Sequence, residues 1–261
     1  MTCIAIKLAY DGSAYSGFAK QKDPQINTIQ GKLESALEII FHTHIDTVCA
    51  GRTDAGVHAL GQVVSFDAPW QNPDEHMLFK LKTSLDALTP PDIAIKNVWR
   101  EYDGFSARFN ADTREYRYRI CIGAKTPLFL QKFAWWHKSE LDIDAMCEAS
   151  QYLVGEHDFK SFCKVQSAID KNTVRTIHEI ELFKEEQLGE ECLCIRVVGN
   201  AFLHSMIRTI VGTLVEVGEG KRQPEWVKDV LRAKNREAAG QNAPACGLVF
   251  HEVRFKQANE D

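Results

Sequence analysis

The sequence predicts an α+β fold made of two similar halves, each with helices packed on an antiparallel sheet. Apolar residues alternate along several short segments, which is typical of half-buried strands, and recur every three or four residues along others, which is typical of helices. The predicted elements follow in the order β-α-β-β-α-β over residues 1–103, and a similar order returns over residues 104–261. We therefore predict two tandem domains at these bounds, each a ferredoxin-like unit.

The first half contains four predicted strands and two predicted helices. The strands cover residues 4–10, 45–49, 60–66 and 93–98. The first helix carries Ile26, Ile29, Leu33, Leu37 and Ile40, and the second carries Met77, Leu78, Leu81 and Leu85. Asn27 is the predicted N-cap of the first helix, with Gln30 three residues later. Pro90 and Pro91 end the second helix.

The second half opens with a predicted strand that has Tyr116 and Tyr118 on one face. A helix follows over residues 143–153, then two strands over residues 174–182 and 192–198, and a closing strand over residues 248–255. A long helix has an apolar stripe made of Leu203, Met206, Ile207, Ile210, Val211 and Leu214, and a short helix begins near Pro224. If the two antiparallel sheets abut, a central cleft separates the halves, and such clefts commonly hold ligands.

Length and composition restrict the class of protein. With 261 residues, 44% of them hydrophobic, the chain can bury a sizeable core. No run of about 18 apolar residues and no leader with a cleavage site is visible, so we expect a cytoplasmic protein without a membrane span. The eight cysteines are scattered without zinc-site spacing, and we expect buried thiols rather than disulfides or a metal site.

Charge is unevenly distributed along an acidic chain. The formal net charge of −5 argues against a surface coated in basic residues. Residues 100–125 nevertheless contain six basic and four acidic residues, and residues 208–236 contain seven basic and four acidic residues. These clusters indicate either a surface for nucleic acid or ordinary solvated faces, and charge alone leaves both interpretations open.

The segment 50–59 combines small residues with chemically active ones. It reads Ala-Gly-Arg-Thr-Asp-Ala-Gly-Val-His-Ala. Its two glycines allow a tight turn and a close approach of the backbone to a ligand, while Arg52, Asp54 and His58 supply a cation, an acid and an imidazole. The same composition fits a purely structural turn in which the Asp54 side chain accepts a backbone hydrogen bond.

Residues 51–58 resemble the signature of the TruA family of tRNA pseudouridine synthases, in which the aspartate is catalytic. The resemblance covers nearly the whole chain, because five further segments occur in the family's order. They are residues 10–13, 28–31, 105–109, 174–177 and 202–208. The chain departs from the family pattern at Phe18-Ala19, at Asp86 and at Cys246, and these departures concern RNA contacts rather than the reaction.

The resemblance implies that Asp54 acts on a uridine extruded from the RNA, either by attacking the sugar carbon or by promoting elimination to a glycal. It implies Arg208 as the cation that keeps this carboxylate ionised and Tyr116 as the active-site tyrosine. Arg52 is the implied residue that fills the gap left by the extruded base. Further substrate-binding residues are expected at Thr53, His58, Tyr118 and Arg114.

The implied reaction is isomerisation of uridine at positions 38–40 of the tRNA anticodon stem-loop by a homodimer that uses no cofactor, metal or nucleotide. Without the family, Arg208 fits a boundary arginine whose stem covers apolar surface, Tyr118 fits a core residue, and Arg52 fits a phosphate contact or a local ion pair. Two other classes are considered. A catalytically silent RNA-binding protein does not need an aspartate beside an arginine, and a glycoside hydrolase or nucleosidase needs a second carboxylate.

Overall fold

The computed structural model describes residues 1–169 and 171–256, and these form two compact units. The first unit contains Met1–Arg114 and the chain from Phe250 onward, and the second contains Glu115–Val249. Both units combine helices with hydrogen-bonded strands, so the predicted α+β class is confirmed. These units are defined by contacts within the structure, whereas the predicted domains are defined by a repeated order of elements. The domains at 1–103 and 104–261 therefore stay a prediction.

The first unit has six elements before its last strand. They are β1 (Thr2–Tyr10), α1 (Ile29–Phe41), β2 (Val48–Cys49), β3 (His58–Ala68), α2 (Glu75–Leu88) and β4 (Ile93–Arg100). Strand β1 lies between β4 and β3, β2 pairs with β3, and all of these pairs are antiparallel. The element order equals the one that the sequence predicts for this half, although β2 is shorter than the predicted residues 45–49. Pairing of β1 with β3 brings the end of β1 beside the start of β3.

Helix α1 is capped by Thr28 and not by the predicted Asn27. The Thr28 hydroxyl accepts the Gly31 amide at 3.2 Å, whereas the Asn27 side chain donates to the Ala14 carbonyl at 3.0 Å. Both residue types suit an N-cap, so the tertiary contact with Ala14 decides between them. Ile26, which the helical spacing includes, precedes the helix.

The second unit contains most of β5 (Ala111–Ile122) and then a longer series of elements. They are β6 (Trp135–His137), α3 (Ile143–Gln151), β7 (Gly155–Asp158), α4 (Val165–Ala168), β8 (Val174–Gln187), β9 (Glu190–Gly199), α5 (Met206–Gly218), α6 (Trp226–Ala233) and the start of β10 (Leu248–Phe255). The strands are ordered β5–β9–β8–β7, and β6 runs parallel to β5. The sequence does not predict β6, β7 or α4, because three or four residues are too few for a periodic pattern. Leu203 lies before α5 and is not part of its apolar stripe.

The charged face of β5 is occupied by ion pairs within the second unit. The guanidinium group of Arg196 lies within 3.0 Å of three carboxylates, those of Glu115, Glu179 and Glu181. Arg117 also donates to Glu115, at 2.8 Å. Burial acts to raise the pKa of Glu115, but hydrogen bonds from the two arginines hold it below its usual value. Glu115 and Arg117 therefore lie on the face opposite the two tyrosines, as the alternation predicts.

The described ranges contain neither a membrane-spanning helix nor a cluster of metal ligands. Within residues 1–169 and 171–256, no helix has the length and apolar character needed to cross a membrane. The same ranges contain no group of three or more His, Cys, Asp or Glu side chains placed to hold a metal ion. The cysteines are free thiols, and most of them are buried.

Candidate active site

Asp54 lies between β2 and β3, at the first position of a tight turn. The Val57 amide donates to the Asp54 carbonyl at 3.2 Å, which closes the turn. Gly56 has a φ of +76° within it, a conformation that favours glycine. Asp54 is half-buried, and Arg52, two residues earlier, is exposed. The turn therefore presents a partly accessible carboxylate close in sequence to an exposed cation.

The backbone on the N-terminal side of Asp54 is fixed by hydrogen bonds to β1 and to the segment that follows it. The Thr53 and Tyr10 hydroxyls are 2.8 Å apart, and the Thr53 carbonyl accepts the Phe18 amide at 3.0 Å. Both hydroxyls are buried, and burial raises the pKa of Tyr10, so this phenol stays neutral. The described contacts of Thr53 are internal, and its contact with substrate stays a prediction.

Arg114 and Gln62 fix the two residues that lead into the turn. Arg114 is buried, and its guanidinium group donates to the carbonyl oxygens of Ala50 at 3.1 Å and Arg108 at 2.7 Å. The Gln62 amide donates to the Gly51 carbonyl at 2.6 Å. Hydrogen bonds from a charged donor are stronger than neutral ones, so these contacts hold the backbone firmly. They give Arg114 a positioning role, while its contact with RNA stays a prediction.

His58 lies behind the turn, at the start of β3. Its ring is buried, and Nδ1 accepts the Gly12 amide at 3.1 Å. The same nitrogen lies 3.1 Å from a carboxylate oxygen of Asp11. A neutral Nδ1 can accept from the amide, whereas a protonated one can only donate to the carboxylate. In either state His58 ties β3 to the segment after β1, and its contact with substrate stays a prediction.

The backbone of residues 11–18 lies directly against the Asp54 turn. A Cβ atom on Gly12 would come within 2.0 Å of the Val57 carbonyl oxygen, and one on Gly17 within 2.9 Å of the Thr53 carbonyl oxygen. Gly17 also has a φ of +104°. Neither position accepts a side chain unless the backbone moves. These two glycines therefore set the distance between the segment and the turn.

Replacing Gly12 by Ala should displace the turn and lower both stability and turnover. The methyl group would overlap the Val57 carbonyl, and overpacking of this kind costs about 1–3 kcal/mol. We expect a fall of several degrees in melting temperature and a loss of at least about tenfold in rate, since small misplacements of a catalytic group are costly. Ser16→Ala, at an exposed position of the same segment, is the control. Unchanged melting temperature and rate in Gly12→Ala would contradict the proposed close contact.

The two tyrosines of β5 are both buried, but their surroundings differ. The Tyr118 hydroxyl donates to the Pro244 carbonyl at 2.8 Å, which is the core arrangement that strand alternation alone predicts. Tyr116 packs edge-on against Phe202, with ring centroids 5.2 Å apart. Phe202 opens the segment 202–208 that carries the candidate arginine. Tyr118 therefore has a structural role in these contacts, and its contact with substrate stays a prediction.

Arg208 lies in the first turn of α5, where its guanidinium group is held by the segment around Ala243. Its Nε donates to the Ala243 carbonyl at 2.7 Å, and the Ala243 amide donates to the Arg208 carbonyl at 3.0 Å. A Cβ atom on Gly212 would lie 1.7 Å from the Gln241 carbonyl oxygen, so this segment packs directly on the helix backbone. The orientation of Arg208 is thus fixed on one side by a backbone contact.

A family model described as tRNA pseudouridine synthase matches residues 6–110 and 149–256. The chain belongs to the tRNA pseudouridine synthase family. The matched ranges include Asp54 in the first unit and Arg208 in the second, whereas Tyr116 lies outside them. The family's name is that of an isomerase acting on tRNA, and this chain is therefore an RNA-binding isomerase that modifies tRNA.

Named relatives of the family extend the match over almost the whole chain. The tRNA pseudouridine synthase A of Anoxybacillus flavithermus is 44% identical over 256 residues, which cover 98% of this chain and 99% of that protein. Those of Fervidobacterium nodosum and Thermotoga neapolitana are 43% and 42% identical over 255 residues, covering 98% of this chain and 100% of each relative. The resemblance to the TruA family is therefore confirmed.

The predicted site residues of this tRNA pseudouridine synthase fall into two groups. Arg52, Thr53, Asp54, His58 and Arg114 belong to the first unit, and Tyr116, Tyr118 and Arg208 belong to the second. Sequence reasoning missed the positioning roles of Gly12, Gly17 and Gln62. Residues 10–13 were part of the family resemblance, which is a signal for Gly12, but the position of Gln62 within a strand carries no such signal.

Proposed function

We propose that the enzyme converts uridine to pseudouridine at positions 38–40 of the tRNA anticodon stem-loop, with Asp54 as the nucleophile. The observation that carries this proposal is the rigid presentation of Asp54. Hydrogen bonds from Arg114 and Phe18 fix the segment that leads into its turn, and the turn itself is met by the close approach of Gly12. A carboxylate that must meet one sugar carbon needs such a position, because a misplacement of about 1 Å can cost roughly 100-fold in rate.

The reaction exchanges one bond to the sugar for another. In one route the Asp54 carboxylate attacks C1′ while the bond from C1′ to N1 breaks, and its electron pair leaves with uracil. In the other route Asp54 takes a proton from C2′ while the bond from C1′ to N1 breaks, so uracil leaves with the electron pair and the sugar becomes a glycal with a double bond between C1′ and C2′. The uracil then turns and C5 bonds to C1′, which expels the Asp54 carboxylate in the first route and returns the proton from Asp54 to C2′ in the second. The C5 proton is released and N1 gains a proton. Since no net oxidation occurs, the proposal includes no redox cofactor, metal or nucleotide.

Arg208 and Tyr116 complete the proposed catalytic set. The family resemblance supports Arg208 as the partner of Asp54, because a guanidinium group favours the charged form of a carboxylate and offers it a forked pair of donors. The bond from Arg208 to the Ala243 carbonyl supports a fixed orientation for that group. Tyr116 is the proposed tyrosine against the uracil, since an aromatic ring can hold an unstacked base and a phenol can relay a proton.

We also propose the architecture that the sequence predicts: two ferredoxin-like units in tandem, with abutting sheets and an RNA-binding cleft. The element order of the first unit supports it, since β4–β1–β3 with β2 beside β3 is the ferredoxin-like arrangement. A homodimer that binds tRNA across both subunits, and a cytoplasmic location, are parts of the same proposal. They rest on the family resemblance.

Arg52 is the proposed residue that occupies the space left by the extruded uridine. It is exposed and precedes Asp54 by two residues. Extrusion of a base costs roughly a few kcal/mol, and a side chain that fills the gap offsets part of this cost. Arg114 then contributes by holding Ala50, on the N-terminal side of Arg52.

Release of tritium from tRNA labelled at uridine C5 tests the proposed function. Isomerisation releases the C5 hydrogen and leaves the RNA chain and its base content intact. A nucleosidase would liberate uracil, and a silent RNA-binding protein would release nothing. Mass spectrometry of the product tRNA then shows whether pseudouridine lies at positions 38–40. Pseudouridine at other positions would contradict the proposed site in the tRNA.

Binding of tRNA should weaken steeply with salt, although the chain is acidic overall. The proposed groove is lined by a set of basic residues from both halves. The sequence suggests Arg52, Arg114, Arg117, Lys221, Arg222, Lys228, Arg232, Lys234 and Arg236. Two of them are not counted as phosphate contacts, because the buried Arg114 donates to backbone carbonyls and Arg117 pairs with Glu115. Each phosphate contact contributes a slope of about 0.7–0.9 in a double-logarithmic plot. Replacing both exposed residues Lys221 and Arg222 by Gln should lower the slope by about 1.5 and raise the dissociation constant, with the saturated single-turnover rate nearly unchanged.

The reverse pattern is expected for Arg52→Ala, which should bind tRNA almost normally and fail in the saturated rate. The matched control for the Lys221→Gln, Arg222→Gln variant is the double variant Lys184→Gln, Arg254→Gln, which also removes two exposed, ion-paired cations. Filter binding at several salt concentrations and single-turnover rates separate the two patterns. Equal losses of affinity and saturated rate in both test variants would show that docking and chemistry are not divided in this way.

A further inference from the structure

The loop before β5 presents one aromatic side chain to solvent while its neighbours are anchored. Phe109 is 78% exposed, whereas Phe105 and Ala107 are buried. Phe105 packs against Phe255 with ring centroids 5.1 Å apart, and the Ala107 amide donates to the Ser65 hydroxyl at 3.0 Å. Phe105 and Ala107 therefore anchor the loop to the first unit, and the exposed ring of Phe109 does not contribute to the core.

A second pair of hydrogen bonds closes the loop around the exposed ring. The Ser106 amide donates to the Asn110 side chain at 2.8 Å, and the Asn110 amide donates to the Ser106 carbonyl at 3.0 Å. Both bonds join Ser106 to Asn110, and the exposed residues Arg108 and Phe109 lie between these two positions. An aromatic ring held on a rigid loop loses little conformational freedom on binding, which favours affinity.

Arg108 lies over the ring of Phe109, with its guanidinium carbon 5.4 Å from the ring centroid. Both side chains are exposed. A guanidinium plane and an aromatic ring are the two groups on which proteins stack unpaired bases, and the cation also attracts phosphate. The pair therefore has the chemistry of a nucleobase-binding surface.

The backbone at Arg108 lies close to the segment that leads from β2 to the Asp54 turn within the first unit. Arg114 donates to the Arg108 carbonyl and to the Ala50 carbonyl, so one guanidinium group bridges these two backbone segments. Burial raises the pKa of the Cys49 thiol to about 11, and three nearby guanidinium groups act to lower it. These belong to Arg52, Arg108 and Arg114. Three cations thus lie near Cys49 at the end of β2, five residues before Asp54.

We propose that Phe109 and Arg108 form a stacking site for an unpaired base of the RNA, next to the nucleotide whose uridine reaches Asp54. The site rests on the proposed function, because its ligand is the RNA substrate. Stacking uses the face of the base and is tolerant of its identity. The site therefore places the loop of the RNA relative to Asp54 without selecting a particular base.

Replacing Phe109 by Leu tests the site, because leucine keeps an apolar side chain and removes the ring. The tRNA dissociation constant should rise by about 5- to 150-fold, the range to which the stacking of one base corresponds. The slope of affinity against salt should not change, since no phosphate contact is lost. Phe109→Trp should restore affinity to within about threefold of the unmodified enzyme, because base stacking needs only an aromatic face. Its fluorescence, measured as the difference from the five native tryptophans, should be quenched by tRNA.

Phe79→Leu is the matched control, because Phe79 is also an exposed phenylalanine of the first unit, at 66%, and lies on α2. Its dissociation constant should stay within about twofold of the unmodified enzyme. Three outcomes for Phe109→Leu would overturn the stacking site: unchanged affinity, a lowered melting temperature, or an altered oligomeric mass in sedimentation. The last would assign the ring to a protein interface. Failure of the proposed function itself is recognised separately, as absence of tritium release by the unmodified enzyme.

Discussion

Replacing Asp54 by Asn should abolish pseudouridine formation while tRNA binding stays within about threefold of the unmodified enzyme. Asparagine keeps the size of the side chain and much of its hydrogen bonding, but it removes the charged oxygen that attacks the sugar or promotes elimination. Loss of a nucleophile of this kind typically lowers the rate by about 1,000-fold or more. Tritium release under single-turnover conditions measures the rate, and filter binding measures affinity.

The turn itself should survive the Asp54→Asn substitution. The bond that closes it uses the carbonyl of residue 54, and the bonds described for Thr53, Gly51 and Ala50 do not involve the carboxylate. Asp112→Asn, at an exposed carboxylate of the same unit, is the control and should leave the rate unchanged. A rate for Asp54→Asn within tenfold of the unmodified enzyme would exclude Asp54 as the catalytic carboxylate.

Replacing Arg208 by Met should give the second large effect, a severe loss of rate together with a lowered melting temperature. In the proposed site this change leaves Asp54 without its counter-charge in a partly desolvated position, which is costly. It also removes the donor to the Ala243 carbonyl. Arg208→Lys should recover only part of the rate, because an ammonium group keeps the charge but lacks the forked geometry of a guanidinium group.

Arg236→Met separates the loss of chemistry from loosening of the segment that contacts α5. Arg236 donates to the Asn242 side chain at 3.2 Å, one residue before the carbonyl that Arg208 contacts. This control should lower stability without a comparable loss of the saturated single-turnover rate. If Arg236→Met and Arg208→Met lost rate equally at saturating tRNA, the effect of Arg208 would be structural, and its proposed pairing with Asp54 would fail.

Long periodic elements of this fold follow from the sequence, because burial imposes their pattern. The closing strand Leu248–Phe255 has the predicted bounds, and α2 ends just before the predicted proline pair. Short elements and helix caps do not follow from the sequence in this way. The choice of Thr28 over Asn27 depends on a contact with Ala14, which lies far away in the sequence. Local propensity contains no information about such a contact.

The candidate site shows the same division between local pattern and tertiary contact. The turn at Asp54 could be predicted, since two glycines and an aspartate restrict a short segment to few conformations. The difference in exposure between Arg52 and Arg114 could not be predicted from the sequence. Both are arginines close to conspicuous motifs, yet one is exposed and the other donates to buried backbone carbonyls. Only the pairing of distant segments determines which arginine is available to a ligand.

The contact between Gly12, Gly17 and the Asp54 turn has a consequence for attempts to alter this enzyme. Main chain meets main chain at this seam, so no side chain lies between the two backbones that could adjust by changing its rotamer. Substitutions at the exposed position Ser16 should leave that seam as it is, whereas the Ser13 hydroxyl donates to Asp11, which contacts His58. Laboratory evolution toward new RNA targets should therefore accumulate changes in the exposed residues around the turn, and variants that alter the seam should be eliminated whatever the target.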